Sequence, residues 1–123
     1  MNKIAIVCGA GGFIGGHMAK RLKDEGYWVR GVDLVLNDFM DMKNVCDEFI
    51  IGDLRNIDVV KSVLTSPTEE PIDVVYQFAA DMGGAGYIFT GDNDADIMHN
   101  SGQINLHIAS EAVKRKVKKV FYS

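Results

Sequence analysis

Between a continuous apolar run and the first amphipathic stretch, the chain sets glycines at positions 9, 12 and 15, in the segment Gly9-Ala10-Gly11-Gly12-Phe13-Ile14-Gly15. This juxtaposition constrains the fold more than any other feature. The run before it, Lys3-Ile4-Ala5-Ile6-Val7-Cys8, does not alternate apolar with polar residues. A strand of that kind is covered on both faces, as in a parallel sheet. After the glycines, Ile14, Met18 and Leu22 recur at four-residue spacing and line one side of a helix that Gly26 closes.

The alternation continues along the chain. Trp28–Asp33 reads as a second strand, and residues 34–47 are polar and irregular with room for one short helix. Glu48–Ile51 reads as a third strand and is followed by a helix around Ile57–Leu64. Pro67 and Pro71 flank a polar loop before a fourth strand at Ile72–Phe78. Residues 81–93 hold Gly83, Gly84, Gly86 and Gly91 and read as a loop. A long helix over 96–116 carries Ile97, Ile104, Ile108 and Ala112 on its apolar side, and Val117–Tyr122 is a fifth strand. Strand–helix alternation implies right-handed crossovers and a parallel sheet with helices on both faces. The expectation is an α/β, Rossmann-type sheet of order 3-2-1-4-5, with a switch point between strands 1 and 4 where ligands bind at the strands' carboxyl ends.

The 123 residues make one domain, 1–123, large enough to bury an ordinary core. A net charge of −4 argues against nucleic acid as a partner. The basic cluster from Lys114 to Lys119 reads as a solvated helix end. No apolar run approaches the ~18 residues of a membrane span, and no signal-peptide pattern precedes the first strand, so the expected location is cytoplasmic and off the membrane. Cys8 and Cys46 have no CxxC or CxxH partner and read as reduced thiols. Three histidines, at 17, 99 and 107, come without a completing ligand set, so no metal site is expected.

Each glycine of the loop has a physical task. Gly9 allows the tight turn, Gly12 lets the backbone approach a pyrophosphate held at the helix N-terminus, and Gly15 lets the helix pack closely on strand 1. Phe13 and Ile14 sit within the same segment, where a dinucleotide's phosphates would lie. Asp33 ends the next strand eighteen residues after Gly15 and is placed to accept hydrogen bonds from a ribose. Leu34 and Val35 after it bring no cation for a 2′-phosphate, which favours NAD over NADP, with Arg30 the nearby residue to watch. Asp53-Leu54 follows strand 3, where a side chain can reach an adenine edge or, for Asp53, cap the next helix. Ala79-Ala80 ends strand 4, leaving room for a cofactor's second ribose or simply packing closely.

These residues together resemble the extended short-chain dehydrogenase/reductase superfamily. Within it, Phe78-Ala79-Ala80-Asp81-Met82-Gly83-Gly84 is similar to the matching stretch of GDP-mannose 3,5-epimerases, as are Cys46-Asp47-Glu48-Phe49, Asp53-Leu54-Arg55 and Val120-Phe121-Tyr122-Ser123. One departure is Cys8, where the superfamily usually has threonine. The resemblance implies a nucleotide-sugar epimerase holding NAD, with C4 of the sugar oxidised, C3 and C5 epimerised through the acidified neighbouring positions, and hydride returned; the alternatives are another extended-family sugar-nucleotide 4-epimerase or 4,6-dehydratase, or a non-catalytic NAD-binding module. It implies that Gly83 contacts a nucleotide-sugar substrate and that Met82 and Gly84 line the same wall. It also implies a homodimer or self-association through the helix over 96–116, and strand 5 offers an open edge to another chain. The superfamily's Tyr-x-x-x-Lys pair has no counterpart, because Gly31, Ala80 and Gly91 stand four residues after Tyr27, Tyr76 and Tyr87. No catalytic residue is assigned. The expectation is an NAD-binding part that stops after strand 5, without the catalytic and substrate-binding remainder.

Overall fold

The computed structural model describes residues 2–35, 41–79 and 94–122. Five parallel strands, β1 (Ile4–Cys8), β2 (Trp28–Asp33), β3 (Glu48–Ile51), β4 (Val74–Gln77) and β5 (Lys119–Tyr122), form one sheet in the order β3-β2-β1-β4-β5. The four described helices are α1 (Phe13–Asp24), α2 (Met42–Val45), α3 (Ile57–Val63) and α4 (Asp94–Lys114). The strand order is the one the alternation predicts.

The central strand β1 is buried along its whole length, as its unbroken apolar run requires. Its residues serve two cores in turn. Ile4, Ile6 and Cys8 join Val60, Val63, Leu64, Ile104 and Ile108 under α3 and α4. Ala5 and Val7 join Ala19, Leu22, Val45 and Cys46 under α1 and α2. Pleating sends successive side chains to opposite faces, so one five-residue strand anchors both layers.

The structure corrects several sequence expectations. Ile14 does not line the buried side of α1: it is 68% exposed, and Gly15, Gly16, Ala19 and Leu22 are buried instead. At about 100° per residue the buried arc centres between Gly15 and Ala19, and Ile14 lies off it. Small residues face the sheet because α1 sits close against the loop. On α4, Ile104, Ile108 and Ala112 are buried as expected, while the side chain of Ile97 lies outside the described residues. β5 begins two residues later than the apolar pattern suggests. Lys116 turns left-handed at φ 59° and the Val117 N–H bonds to the Ala112 carbonyl, so residues 115–117 close the helix before the strand starts. β4 is likewise shorter than Ile72–Phe78, with Ile72 already packed in the core.

Candidate functional site

The carboxyl ends of β1 and β4 meet at Gly9. Its N–H bonds to the Val32 carbonyl at 2.8 Å, tying the loop to β2, and its φ is +85°. A Cβ there would stand 2.9 Å from both the Ala79 nitrogen and the Phe78 carbonyl carbon. Gly9 is therefore required twice, by conformation and by the closeness of β4. Gly15 is required by contact alone, since a Cβ would fall 2.1 Å from the Gly9 carbonyl oxygen.

Gly12 is different. Its φ of −84° and ψ of 172° suit any residue, and the nearest atom to an added Cβ is the Gly9 oxygen at 3.5 Å, an ordinary contact. Among the described residues, no neighbouring atom demands glycine at this position. Gly12 is also the N-cap of α1, offering no side chain to the first backbone N–H groups, and the first turn holds no acidic residue. The positive end of a twelve-residue helix thus begins at a residue that brings no side chain of its own, an arrangement suited to a phosphate. Phe13 and Ile14 flank it, 64% and 68% exposed.

Asp33 lies at the end of β2, partly buried. One carboxylate oxygen accepts from the Gly11 N–H at 2.9 Å and the other from the Leu34 N–H at 2.7 Å. The carboxylate is thereby fixed against the loop rather than left to rotate. Gly11 was not singled out in the motif, yet its Cβ would stand 2.3 Å from the Val35 oxygen and 2.9 Å from the Asp33 carboxylate. The signal was its place in the Gly11-Gly12 pair. Leu34 and Val35 follow as exposed apolar side chains, 59% and 64% accessible.

Arg30 takes no part in this site. It is 5% exposed, donates to the carbonyls of Val63 and Thr65 at 2.6 Å each and to Glu48 at 3.1 Å, and lies over the Trp28 ring. Its guanidinium satisfies the last carbonyl of α3 and one from the turn after it, so no cation from this side chain awaits a 2′-phosphate.

Asp53 is not the helix cap: Asn56 caps α3, its side-chain oxygen accepting from the Asp58 N–H. Asp53 instead pairs with Arg55, whose hydrogen bonds lower its carboxyl below the usual range, and the Gly52 N–H bonded to the Asp33 carbonyl holds it near the end of β2. Leu54 is 5% exposed and packs in the core, so it has backbone but not side chain to offer a ligand. Ala79 is bracketed by Gln77, whose amide accepts from the Ala79 N–H at 3.1 Å and donates to the Ala79 carbonyl at 2.8 Å and to Asn105 on α4 at 3.0 Å. Sequence reasoning passed over Gln77. The available signal was a polar residue at an inward position of a buried strand, where polar groups must be paired. Ala80, Met82, Gly83 and Gly84 lie outside the described residues.

Cys8 beneath the loop is fully buried, and that burial, with the nearby charge of Asp33, pushes its thiol up to about 12. Cys46 is raised to about 11, again chiefly by burial. Both are packing groups at neutral pH. His17 packs edge-on against Phe13 at 4.5 Å. No helix among the described residues is long and apolar enough to cross a membrane.

Residues 5–123 match the family model described as NAD dependent epimerase/dehydratase family. The chain belongs to that family. NAD is the family's cofactor, and the glycine without a side chain at the start of α1 and the fixed Asp33 fit it. Among relatives, the chain is 40% identical over 121 residues to a GDP-mannose 3,5-epimerase of Arabidopsis thaliana, covering 98% of this chain and 30% of that protein. It is 39% identical over 117 residues to GDP-mannose 3,5-epimerase 1 of Oryza sativa subsp. indica, with 95% and 29% covered. Among solved structures, a UDP-glucose 4-epimerase superposes with a TM-score of 0.72 at 29% identity, covering 98% of this chain and 35% of that one. The Bifidobacterium longum UDP-glucose 4-epimerase in complex with NAD+ and UDP shares the fold, with a TM-score of 0.76 at 23% identity and 98% and 36% covered. The chain thus spans about three tenths of the curated relatives' length.

Proposed function

We propose that this chain is the NAD-binding part of a nucleotide-sugar epimerase acting on GDP-mannose. The observation that carries the sugar-nucleotide reading is the 38–40% identity to GDP-mannose 3,5-epimerases across nearly the whole chain. Bound NAD supplies a hydride acceptor and donor for a sugar carbinol carbon. The chain's own residues prepare its place. The loop from Gly9 to Gly15 and the N-terminus of α1 receive the pyrophosphate, Asp33 accepts from the adenosine ribose, and Leu34 and Val35 lie beside that ribose as apolar surface. Asp53 and the backbone of Leu54 stand toward the adenine edge. Gln77 holds Ala79 at the end of β4, where the second ribose needs room, and Ala80 comes next in the sequence. Met82, Gly83 and Gly84 follow as the substrate wall.

These 123 residues contain no Tyr-x-x-x-Lys pair, so the reading assigns them binding and orientation and leaves proton transfer at the sugar outside them. The homodimer belongs to the same reading. α4 keeps Leu106 and Val113 exposed at 71% and 79%, two apolar side chains seven residues apart on its outer face.

The test has two stages. NAD titrated into the chain should bind, and Asp33→Ala should weaken it about tenfold or more, since it removes a charged acceptor from the ribose hydroxyls. The gene's full reading frame, expressed with NAD and GDP-mannose, should then yield GDP-sugars epimerised at C3 and C5. Conversion of UDP-glucose to its C4 epimer, with GDP-mannose untouched, would replace the proposal with the 4-epimerase reading that the 29% identical structure favours.

A further inference from the structure

β4 leaves the sheet beside the cofactor loop, and the Gln77 side chain governs how it leaves. Among the described residues, the ladders of β4 with β1 and β5 end at Gln77, opposite Cys8 and Tyr122. The Phe78 N–H still reaches the Cys8 carbonyl at 2.9 Å, and there β1 turns away through Gly9 at φ +85°. At Ala79 the Gln77 amide takes over from the ladder. Its oxygen accepts from the Ala79 N–H at 3.1 Å and its nitrogen donates to the Ala79 carbonyl at 2.8 Å. A side chain two residues back thus supplies the rung that a neighbouring strand would otherwise provide. The second amide hydrogen goes to the Asn105 side-chain oxygen on α4 at 3.0 Å. Only one orientation of the amide satisfies all three partners. Gln77 is 2% exposed, so water is poorly placed to replace a bond that breaks.

This clamp stands on one side of the glycine loop and Asp33 stands on the other. β2 ends at Asp33 and β4 leads into Ala79, with β1 between the two strands. A dinucleotide laid across the loop would have its ADP half toward β2 and its nicotinamide riboside toward β4. Ala79 also backs the turn, since a Cβ on Gly9 would stand 2.9 Å from the Ala79 nitrogen. We propose that Gln77 is a positioning residue for the nicotinamide half of NAD, with Asn105 on α4 fixing its amide. Neither side chain touches the cofactor in this role; both act through the backbone of Ala79. The proposal rests on the NAD reading and deepens it by dividing the work of the site. The glycines and Asp33 hold ADP, and the Gln77–Asn105 pair secures what NAD binds beyond ADP.

The readout is the ratio of affinities for NAD and ADP, each titrated by calorimetry into the 123-residue chain and its variants. The parent should bind NAD more tightly than ADP. Gln77→Leu, similar in size and without polar atoms, should weaken NAD about tenfold and leave ADP within about twofold. Asn105→Ala, at an exposed position, should weaken NAD about threefold with the thermal midpoint unchanged. Asn105→Asp, which keeps the accepting oxygen, should restore the parent's affinity. On the Gln77→Leu background, Asn105→Ala should add no further loss, because its effect passes through the Gln77 amide. A merely structural role would weaken NAD and ADP together, and that result overturns the proposal. So does NAD affinity that neither variant alters, or Asn105→Asp binding no better than Asn105→Ala. If Gln77→Leu does not fold, the two Asn105 variants decide by the same ratio. A parent that binds neither ligand sinks the NAD reading and this proposal with it, whereas a parent that binds both equally sinks this proposal alone.

Discussion

Gly12→Ala, set against Gly15→Ala, separates what the loop does for the fold from what it does for NAD. At Gly12 the added methyl makes its nearest contact at 3.5 Å and the backbone already sits where alanine is comfortable. Alanine is a poorer N-cap than glycine by some tenths of a kcal/mol, and it gains about 0.4–1 kcal/mol by restricting the unfolded chain. The two offset, so the thermal midpoint should move by no more than a few degrees. The same methyl stands where a pyrophosphate approaches the backbone. Losing one charge-assisted hydrogen bond to the phosphate costs about 1.5–3 kcal/mol, roughly a 10- to 150-fold rise in Kd. At Gly15 the geometry reverses the outcome. The new Cβ would stand 2.1 Å from one backbone atom of Gly9 and 2.8 Å from another, neither of which can swing aside. Overpacking of that kind costs at least about 2 kcal/mol, a fall in midpoint of roughly 8 °C or more. Calorimetric NAD titration beside a thermal melt reads both quantities. If Gly12→Ala binds NAD as the parent does, or melts as early as Gly15→Ala, the assignment of a ligand slot at Gly12 is wrong.

Three further outcomes can be read on the same chain. Arg30→Met should lower the thermal midpoint by about 10 °C, because the Val63 and Thr65 carbonyls lose their donor at a cost of about 2–4 kcal/mol, with no change in the preference for NAD over NADP. An unchanged midpoint with altered NADP affinity would place that side chain in the cofactor site instead. Stability should hold above about pH 4 and fall as the solution is acidified further. At Asp73, burial raises the carboxyl, but the Ile4 N–H and Lys118 outweigh it and hold it below its ordinary value; at Asp47, Lys23 and the Val29 N–H do the same, and Arg55 lowers Asp53. A carboxylate lowered by folding contributes stability while it is charged and loses that contribution on protonation, so a melt that stays flat down to pH 2 would contradict the pairing. Lys116→Gly should raise stability by about 0.5–1 kcal/mol, because glycine adopts φ 59° without the cost that lysine bears there; a lower midpoint would show that the lysine side chain contributes more than the turn costs.

Much of the architecture was legible because it rests on local rules. An unbroken apolar run, a glycine turn and a helical period are read from neighbours in sequence, and their alternation leaves few topologies open. The position of Asp33 was legible for the same reason: it ends the strand after the glycine loop. What escaped were residues whose meaning depends on a distant partner. Arg30 could be read as a cofactor cation until the end of α3 and the turn after it supplied two carbonyls from 33 and 35 residues away. Gln77 looked like one polar residue in a strand until Ala79 and Asn105 closed around its amide. Asn56 capped α3 where Asp53 had been a candidate, and Leu54 turned inward.

By itself the sequence determined the class of fold and the strand order, since these follow from period, turn chemistry and the handedness of crossovers. Only the tertiary structure decided why each glycine is there. Gly9 and Gly15 are held to glycine by backbone atoms from β4 and the loop itself, whereas a Cβ at Gly12 would make only an ordinary contact, 3.5 Å from the Gly9 oxygen. That distinction is one of steric contact through space, and a one-dimensional pattern of glycines carries no record of which atoms come near.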